Sequence, residues 1–178
     1  MATTLRQEEA APPSYPAAPP GLSTEAMALD ADVVWQRIES YIASRYTARN
    51  VTWTVEGCGE WLPPLTPATI STTEVWSRAG VWETAYLAAS PLGGFILPAT
   101  GPYRFMASVG GGNVPAAIEE AYRRLAEYFA AVATNASPGV RQDATEGIGS
   151  VTYDAGAVAK AMERSGAGDL LRPYRRAA

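Results

Sequence analysis

The residues able to do chemistry are few, and their spacing is restrictive. Acid–base work by carboxylates needs two of them facing one cleft. Glu119 and Glu120 are adjacent on a helical pattern and therefore diverge, and Asp30, Asp32, Glu56 and Glu60 form no pattern that brings a pair together. Histidine is absent, which removes His-based triads, His general bases and His metal ligands. The single cysteine, Cys58, has no second thiol for a disulfide or a Cys-rich metal site, and between Gly57 and Gly59 it reads as a small turn residue. Gly110-Gly111-Gly112 ahead of a helix could turn its amides toward a phosphate. A P-loop continues with Gly-Lys-Ser/Thr, whereas this chain continues with Asn113-Val114-Pro115, so a strand-to-helix turn is expected. No catalytic, cofactor-binding or metal-ligating residue is assigned, and no cofactor is expected.

Two groups of residues point to recognition instead. Trp53, Trp61, Trp76 and Trp82 lie in a β-patterned region with Tyr86 and Tyr103. Aromatic-rich strands can stack on sugars or single-stranded bases, and they also fill cores and subunit interfaces; packing is the reading taken. The second group closes the chain. Leu170, Leu171, Arg172, Pro173, Tyr174, Arg175 and Arg176 combine apolar, aromatic and arginine anchors of the kind that dominate interfaces. They follow Gly166-Ala167-Gly168, which reads as a hinge.

The elements that must position these groups alternate in pattern. Residues 1–29 are rich in Ala, Pro, Ser and Thr, and Pro12, Pro13, Pro16, Pro19 and Pro20 predict a flexible or polyproline-like extended arm. A helix is expected from about Asp30 to Tyr46, capped by Asp30 or Asp32, with Val34, Ile38, Tyr41, Ile42 and Arg45 on one stripe and Arg37 and Glu39 off it. Val51, Trp53 and Val55 alternate with Thr52 and Thr54 as in a strand. Pro63-Pro64-Leu65-Thr66-Pro67 is extended, a strand follows near Ile70 to Trp76, and Val81 to Leu87 reads as its hairpin partner across Ser77-Arg78-Ala79-Gly80. Tyr103, Phe105 and Ala107 mark a further strand.

The clearest helix opens at Val114-Pro115. Its stripe is Ile118, Ala121, Tyr122, Leu125, Tyr128, Phe129 and Val132, with Glu119–Arg123 and Glu120–Arg124 paired on the outer side. A small helix from about Ala155 to Arg164, capped by Asp154, precedes the closing segment. The class is α+β: two main helices, a β-rich insertion between them and a short helical tail. At about 150 residues per domain, 178 residues predict one domain with an appended arm. The domain organisation expected is an arm over 1–29, a core over 30–165 and a hinged tail over 166–178.

Net charge is −4, which argues against a general nucleic-acid coat. Residues 160–178 nevertheless carry five basic and two acidic residues, +3, leaving −7 for the rest. Thirteen of the fourteen basic residues are arginine, whose planar fork suits protein interfaces. The start of the chain shows no secretory pattern, and no run of about 18 apolar residues predicts a spanning helix; a soluble protein made in the cytoplasm is expected.

Val114-Pro115-Ala116-Ala117-Ile118 opening a long helix resembles the head–tail connector (adaptor) proteins of long-tailed bacteriophages and of gene transfer agents. So do Pro138-Gly139-Val140, the run Gly147-Ile148-Gly149-Ser150-Val151-Thr152-Tyr153-Asp154 and the ending Leu170-Leu171-Arg172-Pro173-Tyr174-Arg175-Arg176. The first half is similar in order: a helix ending in Tyr46, Val51-Thr52-Trp53, then Leu62-Pro63-Pro64-Leu65. The resemblance covers roughly residues 30–176; family members commonly begin with an additional helical segment, where this chain has its Pro/Ala-rich arm.

The resemblance implies a structural virion protein of the head–tail interface, without catalysis, assembled in the host cytoplasm. It implies a homo-oligomeric ring, typically of twelve copies, between the portal protein and the stopper or another neck or tail protein. DNA passes through the lumen without sequence-specific binding, and no membrane is involved. The C-terminal residues 170–176 would dock on the portal, and a net acidic body suits a channel through which phosphates slide. The alternative from another class is an aromatic-rich binding module for sugar or peptide ligands.

Overall fold

A computed structural model describes residues 1–135, 142–145, 149–152 and 158–175. The fold is α+β, with antiparallel sheets and helices. The chain divides into two compact units, Met1–Tyr15 with Ala43–Asn113, and Pro16–Ile42 with Val114–Ala177.

The first unit is β-rich. Its strands are β1 (Thr3–Glu9), β2 (Arg49–Glu56), β3 (Gly59–Trp61), β4 (Ala68–Trp76), β5 (Trp82–Thr84), β6 (Ala88–Ala89), β7 (Phe95–Leu97) and β8 (Tyr103–Val109). One sheet runs β1-β2-β8-β4-β5 and a smaller one β3-β7-β6. The register sets Val51 opposite Ala107, Trp53 opposite Phe105 and Val55 opposite Tyr103. Period-two alternation thus puts one face of both strands into the core, where all six side chains are buried. Trp61 stacks on Phe105 with ring centroids 4.1 Å apart and meets Trp53 edge-on at 5.7 Å.

The expected hairpin partner over Val81 to Leu87 is shorter in the structure. Pairing stops at Thr84, the Ala85 N–H still reaches Thr73 O, and Ala88–Ala89 then joins the smaller sheet through β7. Val81 is exposed at the turn.

The second unit is helical: α1 (Thr24–Met27), α2 (Ala31–Tyr41), α3 (Ala116–Asn135), α4 (Ala161–Arg164) and α5 (Ala167–Leu171), followed by a 3-10 turn over Arg172–Tyr174. Its strands β9 (Gln142–Thr145) and β10 (Gly149–Thr152) pair antiparallel. Asp30 caps α2 by accepting from the Asp32 N–H at 3.0 Å. The core of this unit gathers Val34, Trp35, Ile38, Ile118, Tyr122 and Leu125, all buried, and Trp35 packs on Tyr122 at 5.0 Å. Two four-step pairs form on the outer side of α3, Glu119–Arg123 at 3.6 Å and Glu120–Arg124 at 2.9 Å. Arg124 and then Arg123, hydrogen-bonded to Glu120, hold its carboxyl below the usual range. Among the described residues, no helix is long and apolar enough to cross a membrane.

Several expectations differ from the structure. α2 ends at Tyr41 rather than Tyr46: Ile42 turns extended, and beyond it Ala43 O and the Arg45 N–H are taken up by Thr66. Those backbone groups cannot serve a continuing helix as well. Glu39, off the apolar stripe, is buried. The small helix expected from Ala155 begins at Ala161 with Lys160 at its N-cap, while Ala155 and the expected cap Asp154 lie outside the described residues. Within the arm, Thr3–Glu9 is a strand and Thr24–Met27 a short helix.

Candidate docking surface

The closing segment is built on the helical unit from α4 onward. Gly166 turns the chain between α4 and α5 with φ +71°, a left-handed conformation that favours glycine. A Cβ at Gly168 would sit 3.0 Å from Met162 O and 3.4 Å from Tyr41 Oη, so glycine lets α5 approach closely. Ala167 is fully buried between these two glycines. The three residues that read as a hinge are therefore a packed turn.

The candidate residues separate by environment. Leu171 is fully buried, as is Ala167 one turn earlier, and α5 packs on α3. Leu171 is thus part of the fold rather than an exposed anchor. Leu170 and Tyr174 are half-buried, Arg172, Pro173 and Arg175 are exposed, and Arg176 lies outside the described residues. The Arg175 guanidinium lies 4.8 Å from the centre of the Tyr41 ring, a cation–π contact across to the end of α2. An open depression of about 340 Å³ lies here, lined by Tyr41, Lys160, Glu163, Asp169, Arg172 and Arg175 among others. Its rim carries three cations and two carboxylates, a mixed surface suited to ion pairing with a partner rather than to enclosing a small molecule. Arg37 supports the near side by donating to Val158 O at 2.7 Å.

Tyr41 and Lys160 were missed by sequence reasoning. Tyr41 reads there as one more apolar position on the α2 stripe, and nothing local to residue 175 points to it. The one available signal was Gly168, a glycine inside a helical segment.

The aromatic group divides. Trp53 and Trp61 are core, whereas Trp76 is 43% exposed and Trp82 half-buried. These two meet edge-on at 5.1 Å near the β4–β5 turn, and Arg104 lies 4.6 Å from the Trp82 ring centre while pairing with Glu74 at 2.6 Å. Four of the six carboxylates weighed for acid–base chemistry have other work: Asp30 caps α2, Glu60 accepts from the Ser90 hydroxyl, and Glu119 and Glu120 pair with arginines. Gly110, Gly111 and Gly112 all have positive φ, and a Cβ at Gly110 would clash with Thr47 O, which accounts for glycine there by backbone geometry. Among the described residues no cluster of three or more His, Cys, Asp or Glu side chains is placed to hold a metal.

No protein-family model and no curated protein matches the sequence. Among solved structures the chain is similar to one described as "Virion of native gene transfer agent (GTA) particle", with 16% identity and a TM-score of 0.49, over 83% of this chain and 75% of that one. It is also similar to one described as "Neck of empty GTA particle computed with C6 symmetry", with 14% identity and a TM-score of 0.44, over 90% of this chain and 95% of that one.

Proposed function

We propose that this chain is a structural, non-catalytic adaptor subunit of a phage-like particle, forming a ring between the portal and the stopper or tail. The observation that carries the reading is the ordered series of segments that resembles the connector family from the first main helix to the closing arginines. The C-terminal surface is compatible with it: Arg172 and Arg175 stand exposed on a segment fixed by Leu171 and Gly168. A fixed pair of arginines loses little side-chain freedom on meeting a partner's carboxylates. In this reading the arginine surface faces the portal and DNA passes through the ring.

Burial of Leu171 determines which variant tests the reading. Deleting residues 169–178 would remove a core side chain and confuse folding with docking. Arg172→Glu with Arg175→Glu leaves the core untouched and reverses the surface. Co-sedimentation with the portal ring encoded near this chain is expected for the parent and lost for the double variant, with unchanged circular dichroism. Equal binding by both would refute docking through this surface.

A saturable small ligand that quenches the Trp76–Trp82 pair would favour the alternative of a sugar- or peptide-binding module, since that pair and the exposed Tyr86 lie outside the β core.

A further inference from the structure

We infer that the depression beside α4 and α5 receives a partner protein segment carrying both charge signs, and that Glu163 and Asp169 select that segment against a uniform polyanion such as nucleic acid. The inference rests on the docking surface proposed above and names the chemistry of what meets it.

The five charged groups on the rim stand in two columns. Lys160 and Glu163 lie about one turn apart at the start of α4, where the Glu163 N–H reaches Lys160 O at 3.1 Å. Asp169, Arg172 and Arg175 follow at three-residue steps through α5 and the 3-10 turn, closed by the Arg175 N–H on Arg172 O at 3.2 Å. Side chains three apart share a face in an α-helix and eclipse in a 3-10 turn. All five line the same depression, to which Tyr41 and Met162 add apolar surface.

These charges are left open. Lys160–Glu163 and Asp169–Arg172 are opposite in sign at a spacing that lets a pair close. Among the described residues, none of the four forms an ion pair. On α3 the same kind of spacing closes: Glu119–Arg123 at 3.6 Å, Glu120–Arg123 at 2.9 Å and Glu120–Arg124 at 2.9 Å. Arg175 is steadied by the Tyr41 ring, 4.8 Å away, a contact that leaves its N–H edge to a partner.

The pattern decides what fits. A segment bearing only carboxylates meets Lys160, Arg172 and Arg175 favourably but is repelled by Glu163 and Asp169. One bearing only cations meets three like charges. The complement carries carboxylates with cations among them, as protein segments do. A nucleic-acid backbone cannot, because every repeat carries a phosphate. Glu163 and Asp169 are also the only acidic residues in 160–178, where five basic residues stand. Without them this end of an otherwise acidic chain would be a general site for polyanions. Discrimination here comes from two repulsive groups set among attractive ones.

Glu163→Gln with Asp169→Asn in the full chain is the test. Both side chains are exposed, and circular dichroism checks the fold. The first probe is a short duplex DNA at low salt, read by fluorescence anisotropy. The parent is expected to bind it weakly and the double variant about tenfold more tightly, with the gain fading as salt rises. The second probe is the portal ring, which the double variant should bind about tenfold more weakly because the portal's cations lose their partners. Equal duplex affinity for the two chains overturns the selection, and undiminished portal binding by the variant overturns the mixed-charge partner. A parent that leaves the portal ring unbound refutes docking on the portal, while the duplex comparison still decides the selection. Asp169 lies in the first turn of α5, so Glu163→Gln alone repeats both measurements should the double variant fail to fold.

Discussion

In the β-rich unit, buried side chains turn polar groups toward the N-terminal segment: two indole N–H groups and two guanidinium groups meet Thr4, Gln7 and Glu9. The helical unit holds its share of the same segment differently. Ser23 gives its N–H and hydroxyl to the half-buried Glu127, each at 2.7 Å, and Arg123 reaches Pro20 O. The first unit depends on the N-terminal residues to satisfy groups that its core has buried. The second builds most of its core from α2, α3 and α5, takes the small buried side chains of Ala26 and Ala161 from α1 and α4, and adds a polar clasp at Ser23 and Pro20. Unpaired buried donors are costly, whereas a lost surface contact is replaced by water.

This contrast can be broken at graded points. The largest effect is expected within the β core. Trp53→Ala removes a fully buried ring that contacts Trp61 and loses the bond to Gln7, and should cost about 3–5 kcal/mol in urea unfolding. In the helical unit Leu125→Ala should cost about 2–5 kcal/mol, because Leu125 is fully buried on the α3 stripe. A melt matching the parent would show that the stripe is misassigned. Glu9→Gln removes the carboxylate facing Arg45 and Arg49 and should cost about 1–3 kcal/mol by the same urea titration. Loss of less than the Ser23 variant below would abolish the proposed contrast.

The smallest effect belongs to the clasp. Ser23 caps α1 by accepting from the Ala26 N–H, and Ser23→Ala should cost about 1 kcal/mol. The Ser23 N–H, and then its hydroxyl, hydrogen-bond Glu127 and hold its carboxyl below the ordinary range. A carboxyl lowered by folding adds stability above its unfolded value, and that stability is lost as pH falls through the folded value. Melting temperature should therefore fall less steeply on the acid side in Glu127→Gln, which removes the titrating carboxyl, than in the parent. Parallel acid slopes would remove the clasp from the account.

The same contrast explains what the sequence makes legible. Val51, Trp53 and Val55, and the Ile118-to-Leu125 stripe, are read correctly because apolar periodicity directly records which face is buried. The strand at Thr3–Glu9 is not legible: its side chains are polar and mostly exposed, and the groups that require it sit on Trp53, Trp61, Arg45 and Arg49, forty or more residues away in some cases. The end of α2 is missed for a related reason, since Thr66 takes the backbone groups of Ala43 and Arg45. At the candidate surface, Arg172 and Arg175 are legible as exposed anchor types. The burial of Leu171 is not, because a leucine among arginines carries the same local signal whether it packs on α3 or on a partner.

The most direct test of the central claim is the mass of the assembly. The purified chain is mixed with the portal ring encoded near it, and the complex is sized by light scattering after gel filtration. The account predicts a mass step equal to a full ring of subunits. A folded chain that leaves a competent portal ring at its original mass would contradict the adaptor function.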